Sequence, residues 1–236
     1  MSGQTDTNCE HRLVYVWQLP VRIYHWLNAA SILVLASTGY LIGNPPAFVN
    51  SAEASFSYWF GIVRFIHFVA SFIFFFNFLF RLYWGFAGNR YARWDNFILL
   101  KKRQWKEVLK VLKVDIMQTS NKPLNEIGHN SLASLTYFFT FIAFLVQSIT
   151  GFSLYAAMSD SWFPKLFSWV GPILGGDLAT RQIHHLFMWL FIIFAIIHIY
   201  LVFYHDYVER RGVTSSMIGG WKFVEKCVME EDDKKS

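Results

Sequence analysis

The chain is constrained most by four stretches of apolar residues, each about as long as a membrane-spanning helix. They cover residues 23–42, 59–86, 132–157 and 183–204. A bilayer core about 30 Å thick requires about 20 helical residues, and a backbone in lipid must satisfy its own hydrogen bonds, which favours helices. We therefore predict an all-α fold, an integral membrane four-helix bundle that forms a single domain over residues 1–236.

The distribution of basic residues predicts the orientation of this bundle. Ten Lys and Arg residues lie between positions 81 and 126, and six lie in the tail 205–236. The loops after the first and third stretches contain only Lys165 and Arg181. Because Lys and Arg favour the cytoplasmic side, both termini and the central segment are expected there. The net charge of +5 is thus explained by topology rather than by nucleic-acid binding.

The central basic segment, residues 94–120, has the pattern of an amphipathic helix. Its apolar residues recur at helical spacing, as Trp105, Val108, Leu109, Leu112 and Ile116. We predict a cytoplasmic helix on the membrane surface between the second and third spans. The polar N-terminus does not have the pattern of a cleaved signal, so the first span is expected to be retained.

Four histidines, His25, His67, His184 and His198, lie within the apolar stretches. Ionisable groups inside a membrane are costly and usually functional. His184 and His198 are fourteen residues apart, so they share nearly one helix face and differ in depth by about 21 Å. With the predicted orientation, depth pairs His67 with His184 near the outer surface and His25 with His198 near the inner surface.

Two such pairs predict two haem b groups, each with its iron held by two imidazoles. A bis-imidazole site leaves no open position on the iron and transfers electrons. The chain has no Cys-x-x-Cys-His sequence for covalent haem attachment. The histidines could instead tie helices together by hydrogen bonds or hold a non-haem metal. His185 is rotated by about 100° from His184 on the helix and is the weaker candidate ligand.

Two repeated motifs accompany the histidines. Arg22 and Arg64 each precede a histidine by three residues, which makes them candidate partners of the haem propionates. Gly39 and Gly151 each follow a threonine near the outer ends of the first and third spans. A glycine there would let a flat macrocycle approach the backbone, although small residues also serve helix contacts in membranes.

Taken together, these residues resemble the b-type cytochrome subunit of membrane-bound nickel–iron hydrogenases over nearly the whole chain. The motifs that carry the resemblance are PVRIYHW at 20–26, TGY at 38–40, IVRFIHF at 62–68, RLYW at 81–84, GNRY at 88–91, GHN at 128–130, TGF at 150–152, HHL at 184–186, HIY at 198–200 and SSMIGG at 215–220. The chain departs from the family's usual pattern at Arg181 and Phe187.

The resemblance implies a subunit of the bacterial cytoplasmic (inner) membrane that anchors a periplasmic hydrogenase of large and small subunits. It would pass electrons from the small subunit's iron–sulfur chain through two haems to menaquinone or ubiquinone. The family's haem ligands correspond to His25, His67, His184 and His198. His129 and Asn130, at the cytoplasmic start of the third span, are candidates for the quinone site.

The chain has no cysteine cluster for nickel or iron–sulfur, so it is expected to be an electron-transfer subunit without a hydrogen-activating site. Three alternatives stay open from the sequence. One is a cytochrome b of the same architecture that serves formate dehydrogenase or thiosulfate reductase. Another is a membrane enzyme with a histidine-ligated non-haem metal. The third is a structural anchor whose histidines only tie helices together.

Overall fold

The computed structural model describes residues 11–46, 58–89, 91–93, 131–209 and 212–225. Nine elements follow one another in this part of the chain: β1 (His11–Tyr15), α1 (Leu19–Gly43), α2 (Trp59–Ala87), α3 (Ser131–Ala156), α4 (Trp162–Lys165), α5 (Val170–Ile173), α6 (Asp177–Glu209), α7 (Val213–Gly219) and β2 (Trp221–Glu225). Among these residues, the helices α1, α2, α3 and α6 are long and apolar enough to cross a membrane. The predicted fold class is confirmed, whereas the amphipathic segment 94–120 lies outside the described residues.

The last long helix begins earlier than its apolar stretch. It starts at Asp177, while the sequence predicts a start at residue 183. Gly175 and Gly176 have φ values of +95° and +103°, which only glycine adopts readily, and they end the preceding turn. The Asp177 carboxylate favours the positive helix N-terminus and accepts a hydrogen bond from Arg181 Nε at 2.9 Å. A polar first turn therefore extends the helix beyond its apolar part.

The described contacts divide the chain into two compact units. The first unit comprises Ile23–Tyr83 and Phe139–His198. Its core contains four buried aromatic residues, Phe74 and Phe78 of α2, Phe144 of α3 and Phe191 of α6. Phe74 and Phe144 stack with centroids 4.3 Å apart, and Phe144 meets Phe191 edge to face at 5.3 Å. Each such pair adds about 0.5–1.5 kcal/mol beyond its buried area, so this cluster fixes α2, α3 and α6 together.

The second unit comprises Met1–Arg22, Trp84–Phe138 and Ile199–Ser236. Within it β1 and β2 form an antiparallel pair, in register from His11 opposite Glu225 to Tyr15 opposite Trp221. Neither strand is predicted from the sequence. Because β1 precedes the first span and β2 follows the last, hydrogen bonding between them requires both to lie on the same membrane face. An even number of spans must therefore separate them, which agrees with the four spans predicted from the sequence.

A polar residue connects the start of α1 to the end of α2 in this unit. Gln18 Oε1 accepts hydrogen bonds from Trp84 Nε1 at 3.2 Å and from the Asn89 backbone N–H at 3.1 Å. Asn89 Nδ2 in turn donates to the Val16 carbonyl at 2.9 Å. Val16 is fully buried, so these bonds satisfy polar groups beside an apolar cluster.

Candidate functional site

One polar side chain from each of the four long helices contributes to a layer of the first unit. The four are Thr38 of α1, His67 of α2, Thr150 of α3 and His184 of α6. Thr38 Oγ1 lies 2.8 Å from His67 Nδ1, and Thr150 Oγ1 lies 3.0 Å from His184 Nδ1. Gly39 lies against both His67 and Met188, and Met188 follows His184 by one turn of α6. We call these four residues the outer histidine layer, because the charge distribution predicts that it lies near the outer face.

A glycine makes room for the imidazole ring on each side of the outer histidine layer. A Cβ atom added at Gly39 would lie 3.3 Å from His67 Cε1, and one added at Gly151 would lie 3.0 Å from His184 Cε1. Both distances are shorter than an ordinary carbon–carbon contact of about 3.5–4.0 Å. From the sequence, these glycines are expected to accommodate a macrocycle. In the structure they lie directly against the histidine rings.

His184 has a second polar neighbour. Gln147 Nε2 lies 3.3 Å from His184 Nε2, while Gln147 Oε1 is buried and makes no hydrogen bond to the described residues. An amide N–H can only donate, so His184 Nε2 accepts. A metal bound at this nitrogen would require the Gln147 side chain to rotate away.

A second pair of histidines, the inner histidine pair, lies in the same unit. The rings of His25 and His198 have centroids 6.3 Å apart and an interplanar angle of 54°. Asn77 of α2 donates from Nδ2 to the Tyr24 carbonyl at 3.0 Å, which ties α2 to α1 beside His25. His25 Nδ1 is buried and makes no hydrogen bond to any residue that the structure describes.

Aromatic residues separate the two sets of histidines. Phe74 follows His67 by seven residues on α2, and Phe191 lies seven residues from both His184 and His198 on α6. Seven residues correspond to about 10 Å along a helix and return to nearly the same face. Phe74 and Phe191 meet edge to face with centroids 6.2 Å apart. The buried cluster therefore lies between the outer histidine layer and the inner histidine pair.

The other residues that the sequence analysis singled out have different surroundings. Arg22 donates from Nη1 to the Ile218 carbonyl within the second unit. Arg64 is exposed, and its guanidinium lies 4.8 Å from the Phe60 ring centroid. Their role toward haem propionates stays a prediction. The candidate quinone residues His129 and Asn130 lie outside the described residues.

His185 does not join His184 in the outer histidine layer. Its ring packs directly against Gly43 at the end of α1, where an added Cβ would clash with the imidazole. In the repeated threonine–glycine pairs, the sequence predicts a role beside the haem for the glycines and none for the threonines. The repeat itself was the signal for the hydroxyl groups of Thr38 and Thr150, which contact the histidines.

The family of the chain follows from its similarity to known proteins. The profile of the family described as prokaryotic cytochrome b561 matches residues 16–220. This chain belongs to that family.

The chain is also similar to curated members that carry a more specific name. Two proteins named "Probable Ni/Fe-hydrogenase B-type cytochrome subunit" are 38% identical over 215 residues in Cupriavidus necator and 40% identical over 214 residues in Azotobacter vinelandii. Each alignment covers 89% of this chain and 87% or 88% of the relative. The "Probable Ni/Fe-hydrogenase 1 B-type cytochrome subunit" of Escherichia coli strain K12 is 34% identical over 231 residues, 94% of both chains.

Membership in the cytochrome b561 family makes the chain a multi-pass membrane cytochrome of the b type, for which the cofactor is haem b. The described residues fit that group. Two imidazoles that bind one metal ion from opposite sides have ring centroids about 6 Å apart, because each metal–nitrogen bond is about 2 Å long and each nitrogen lies about 1 Å from its ring centroid. The ring centroids of His25 and His198 are 6.3 Å apart. At the outer histidine layer, Gly39 and Gly151 leave space that a Cβ would fill.

Proposed function

We propose that this chain is the di-haem cytochrome b subunit of a periplasmic nickel–iron hydrogenase. His67 and His184 would hold an outer haem b, and His25 and His198 would hold an inner one. The observation that carries this proposal is the division of the four intramembrane histidines into two sets at two depths. The names of the relatives, which align over nearly their whole length, support a hydrogenase as the partner.

The chain would conduct electrons from its partner's iron–sulfur chain to membrane quinone, either menaquinone or ubiquinone. When bound between two imidazoles, haem b supplies a one-electron couple with no open position on the iron. The two histidines of α6 differ in depth by about 21 Å, which spans most of the hydrocarbon core. The Phe74–Phe191 contact between the two sets is buried and keeps that region apolar.

The proposed orientation puts both termini in the cytoplasm and the outer histidine layer next to the periplasmic partner. The membrane would be the cytoplasmic membrane of a bacterium. The excess of Lys and Arg in the central segment and the tail supports this orientation. The β1–β2 pair supports the same membrane face for both flanks of the bundle. Quinone would bind at the inner face, for which His129 and Asn130, the two residues before α3 in the sequence, are the candidates.

A haem-to-protein ratio and a redox titration of the purified complex test the cofactor assignment. Two haem b per chain and two one-electron components are expected. His67→Ala or His184→Ala should remove the outer component and block electron entry. His25→Ala or His198→Ala should keep the outer component reducible by hydrogen but stop quinone reduction. The matched control is His185→Ala, because His185 adjoins His184 and packs against Gly43; this variant should keep both components.

The partner is tested separately by purifying the complex from membranes through a tag on this chain. Hydrogenase large and small subunits should co-purify and be identified by mass spectrometry. Recovery of a formate dehydrogenase or thiosulfate reductase instead would keep the cytochrome and refute the hydrogenase assignment. A colourless complex, with no reduced α band, would refute the haem assignment and favour a non-haem site.

A further inference from the structure

We propose that Thr38 and Thr150 are positioning residues that fix the tautomer of the outer histidines and strengthen their bonds to iron. Each hydroxyl would accept a hydrogen bond from Nδ1–H, so that Nε2 presents its lone pair to the haem. This inference rests on the proposed function, since it concerns the outer haem. In each repeated threonine–glycine pair, the threonine would thus accept the hydrogen bond that orients the histidine.

The Thr38 hydroxyl has a single hydrogen to donate. Oγ1 of Thr38 lies 2.6 Å from the Val34 carbonyl oxygen and 2.8 Å from His67 Nδ1. Two oxygens at 2.6 Å require a hydrogen between them, and the carbonyl has none, so the hydroxyl donates to Val34. Its lone pairs then face His67, which must donate from Nδ1. The remaining nitrogen, Nε2, is left deprotonated in the neutral ring.

Thr150 repeats the same arrangement from the opposite helix. Its Oγ1 lies 2.7 Å from the Val146 carbonyl oxygen and 3.0 Å from His184 Nδ1. Before haem binds, the Gln147 N–H donates to His184 Nε2 at 3.3 Å, and it would have to rotate away for Nε2 to meet iron. The Thr150 hydroxyl favours a proton on Nδ1 and a lone pair on Nε2.

The surroundings make these hydrogen bonds strong. Thr38 is 9% exposed and Thr150 is 2% exposed, so water does not compete for the hydroxyl groups. A hydrogen bond in a medium of low dielectric constant is stronger than one in water. The neighbouring Gly39 and Gly151 let each imidazole lie close to the helix backbone, which brings Nδ1 within reach of the hydroxyl.

A hydrogen-bond acceptor at Nδ1 raises the basicity of a metal-bound imidazole and orients the ring. A more basic ligand stabilises oxidised iron relative to reduced iron and so lowers the potential of the haem. His25 of the inner histidine pair has no such acceptor among the residues that the structure describes. The two threonines should therefore keep the potential of the outer haem below the value it would have without them.

The test replaces each hydroxyl while keeping the shape of the side chain. In the whole complex, Thr38→Val and Thr150→Val should raise the midpoint potential of the outer haem and leave the inner haem unchanged. Removing the hydrogen-bond partner of a metal-binding histidine typically changes metal affinity about 10–100-fold. If the affinity for oxidised iron changes tenfold more than that for reduced iron, the midpoint potential shifts by about 59 mV for a one-electron couple. Thr38→Ser and Thr150→Ser keep the hydroxyl and should keep the potential.

Ser37→Ala is the matched control, because Ser37 makes the same bond to a carbonyl four residues earlier, at 2.8 Å, and is not part of the outer histidine layer. Electron paramagnetic resonance of the oxidised complex provides a second readout, since the low-spin signal of the outer haem should shift only in the valine variants. If valine variants lose the outer haem and serine variants retain it, the hydroxyl role is supported.

Three results would overturn the inference. They are an unchanged outer potential in both valine variants, an equal shift in the valine and serine variants, or loss of the outer haem in all four. The parent complex separates this failure from that of the proposed function. If it contains two bis-imidazole haems, only the threonine role fails; if it contains none, the proposed function itself fails.

Discussion

Replacing Gly151 with alanine should weaken binding of the outer haem, and the structure gives the size of the effect. The new Cβ would lie 3.0 Å from Cε1 of His184, 3.7 Å from Nδ1 and 3.8 Å from Nε2. An ordinary carbon–carbon contact is about 3.5–4.0 Å. The imidazole would therefore have to move by about half an ångström, more than the tolerance of about 0.2 Å expected of a metal–ligand distance.

Two opposing terms set the free energy of this substitution. Alanine in place of a helical glycine gains about 1 kcal/mol in helix propensity. Overpacking a well-packed site costs about 1–3 kcal/mol. Helix propensity is the same in the haem-free and haem-bound forms, so only the overpacking term acts on haem binding. A cost of about 1–3 kcal/mol for holding the imidazole in place corresponds, at 1.4 kcal/mol per factor of ten, to a loss of about 5- to 150-fold in haem affinity.

Two other glycines give a graded series for the same assay. Gly39→Ala should have a smaller effect than Gly151→Ala, because its Cβ would lie 3.3 Å from His67 Cε1. Gly61→Ala should have none, since nothing lies within 4 Å of its Cβ. The measurement is the transfer of haem from the detergent-purified complex to apomyoglobin, followed by the redox titration of what remains. Equal retention of the outer haem in all three variants, or a Gly61→Ala variant as damaged as Gly151→Ala, would refute the reasoning.

Three further predictions concern residues outside the two sets of haem histidines. Gln18→Ala should lower the melting temperature of the purified complex, because it removes two hydrogen bonds from half-buried donors that are worth about 0.5–1.5 kcal/mol each, whereas Gln18→Glu keeps an acceptor and should be tolerated. Gly43→Ala should displace His185 and lower the melting temperature but leave both haem potentials unchanged. The Lys165 ammonium donates a hydrogen bond to Asp160 and lowers the pKa of that carboxyl, so the pair is lost only as the pH falls through this lowered value. Because the pair is exposed, Asp160→Asn should leave thermal stability nearly unchanged at neutral pH.

The sequence predicts the membrane-spanning part of this fold well because the bilayer imposes a length. Each long helix must carry about 20 apolar residues, and such a stretch is visible without knowledge of its neighbours. The true start of α6 was harder to see, because Asp177 and Arg181 belong to a polar first turn. The strands β1 and β2 were missed because each has five residues and pairs with a partner from the opposite end of the chain.

The candidate site divides in the same way. The four intramembrane histidines stand out because ionisable residues are rare in apolar stretches. Thr38 and Thr150 do not, since a threonine is common in membrane helices and its hydroxyl usually bonds only to its own backbone. Which imidazole each hydroxyl meets depends on how the helices face one another, and no spacing within a single helix contains that information.

The pairing of β1 with β2 also has a consequence for biogenesis. While the polypeptide emerges from the ribosome, β1 has no partner until the last span has entered the bilayer and β2 has been synthesised. If one span failed to insert, the two strands would be left on opposite sides of the lipid and could not meet. Formation of this small sheet therefore depends on an even number of inserted spans, and a chain with one span left out would keep both strands unpaired.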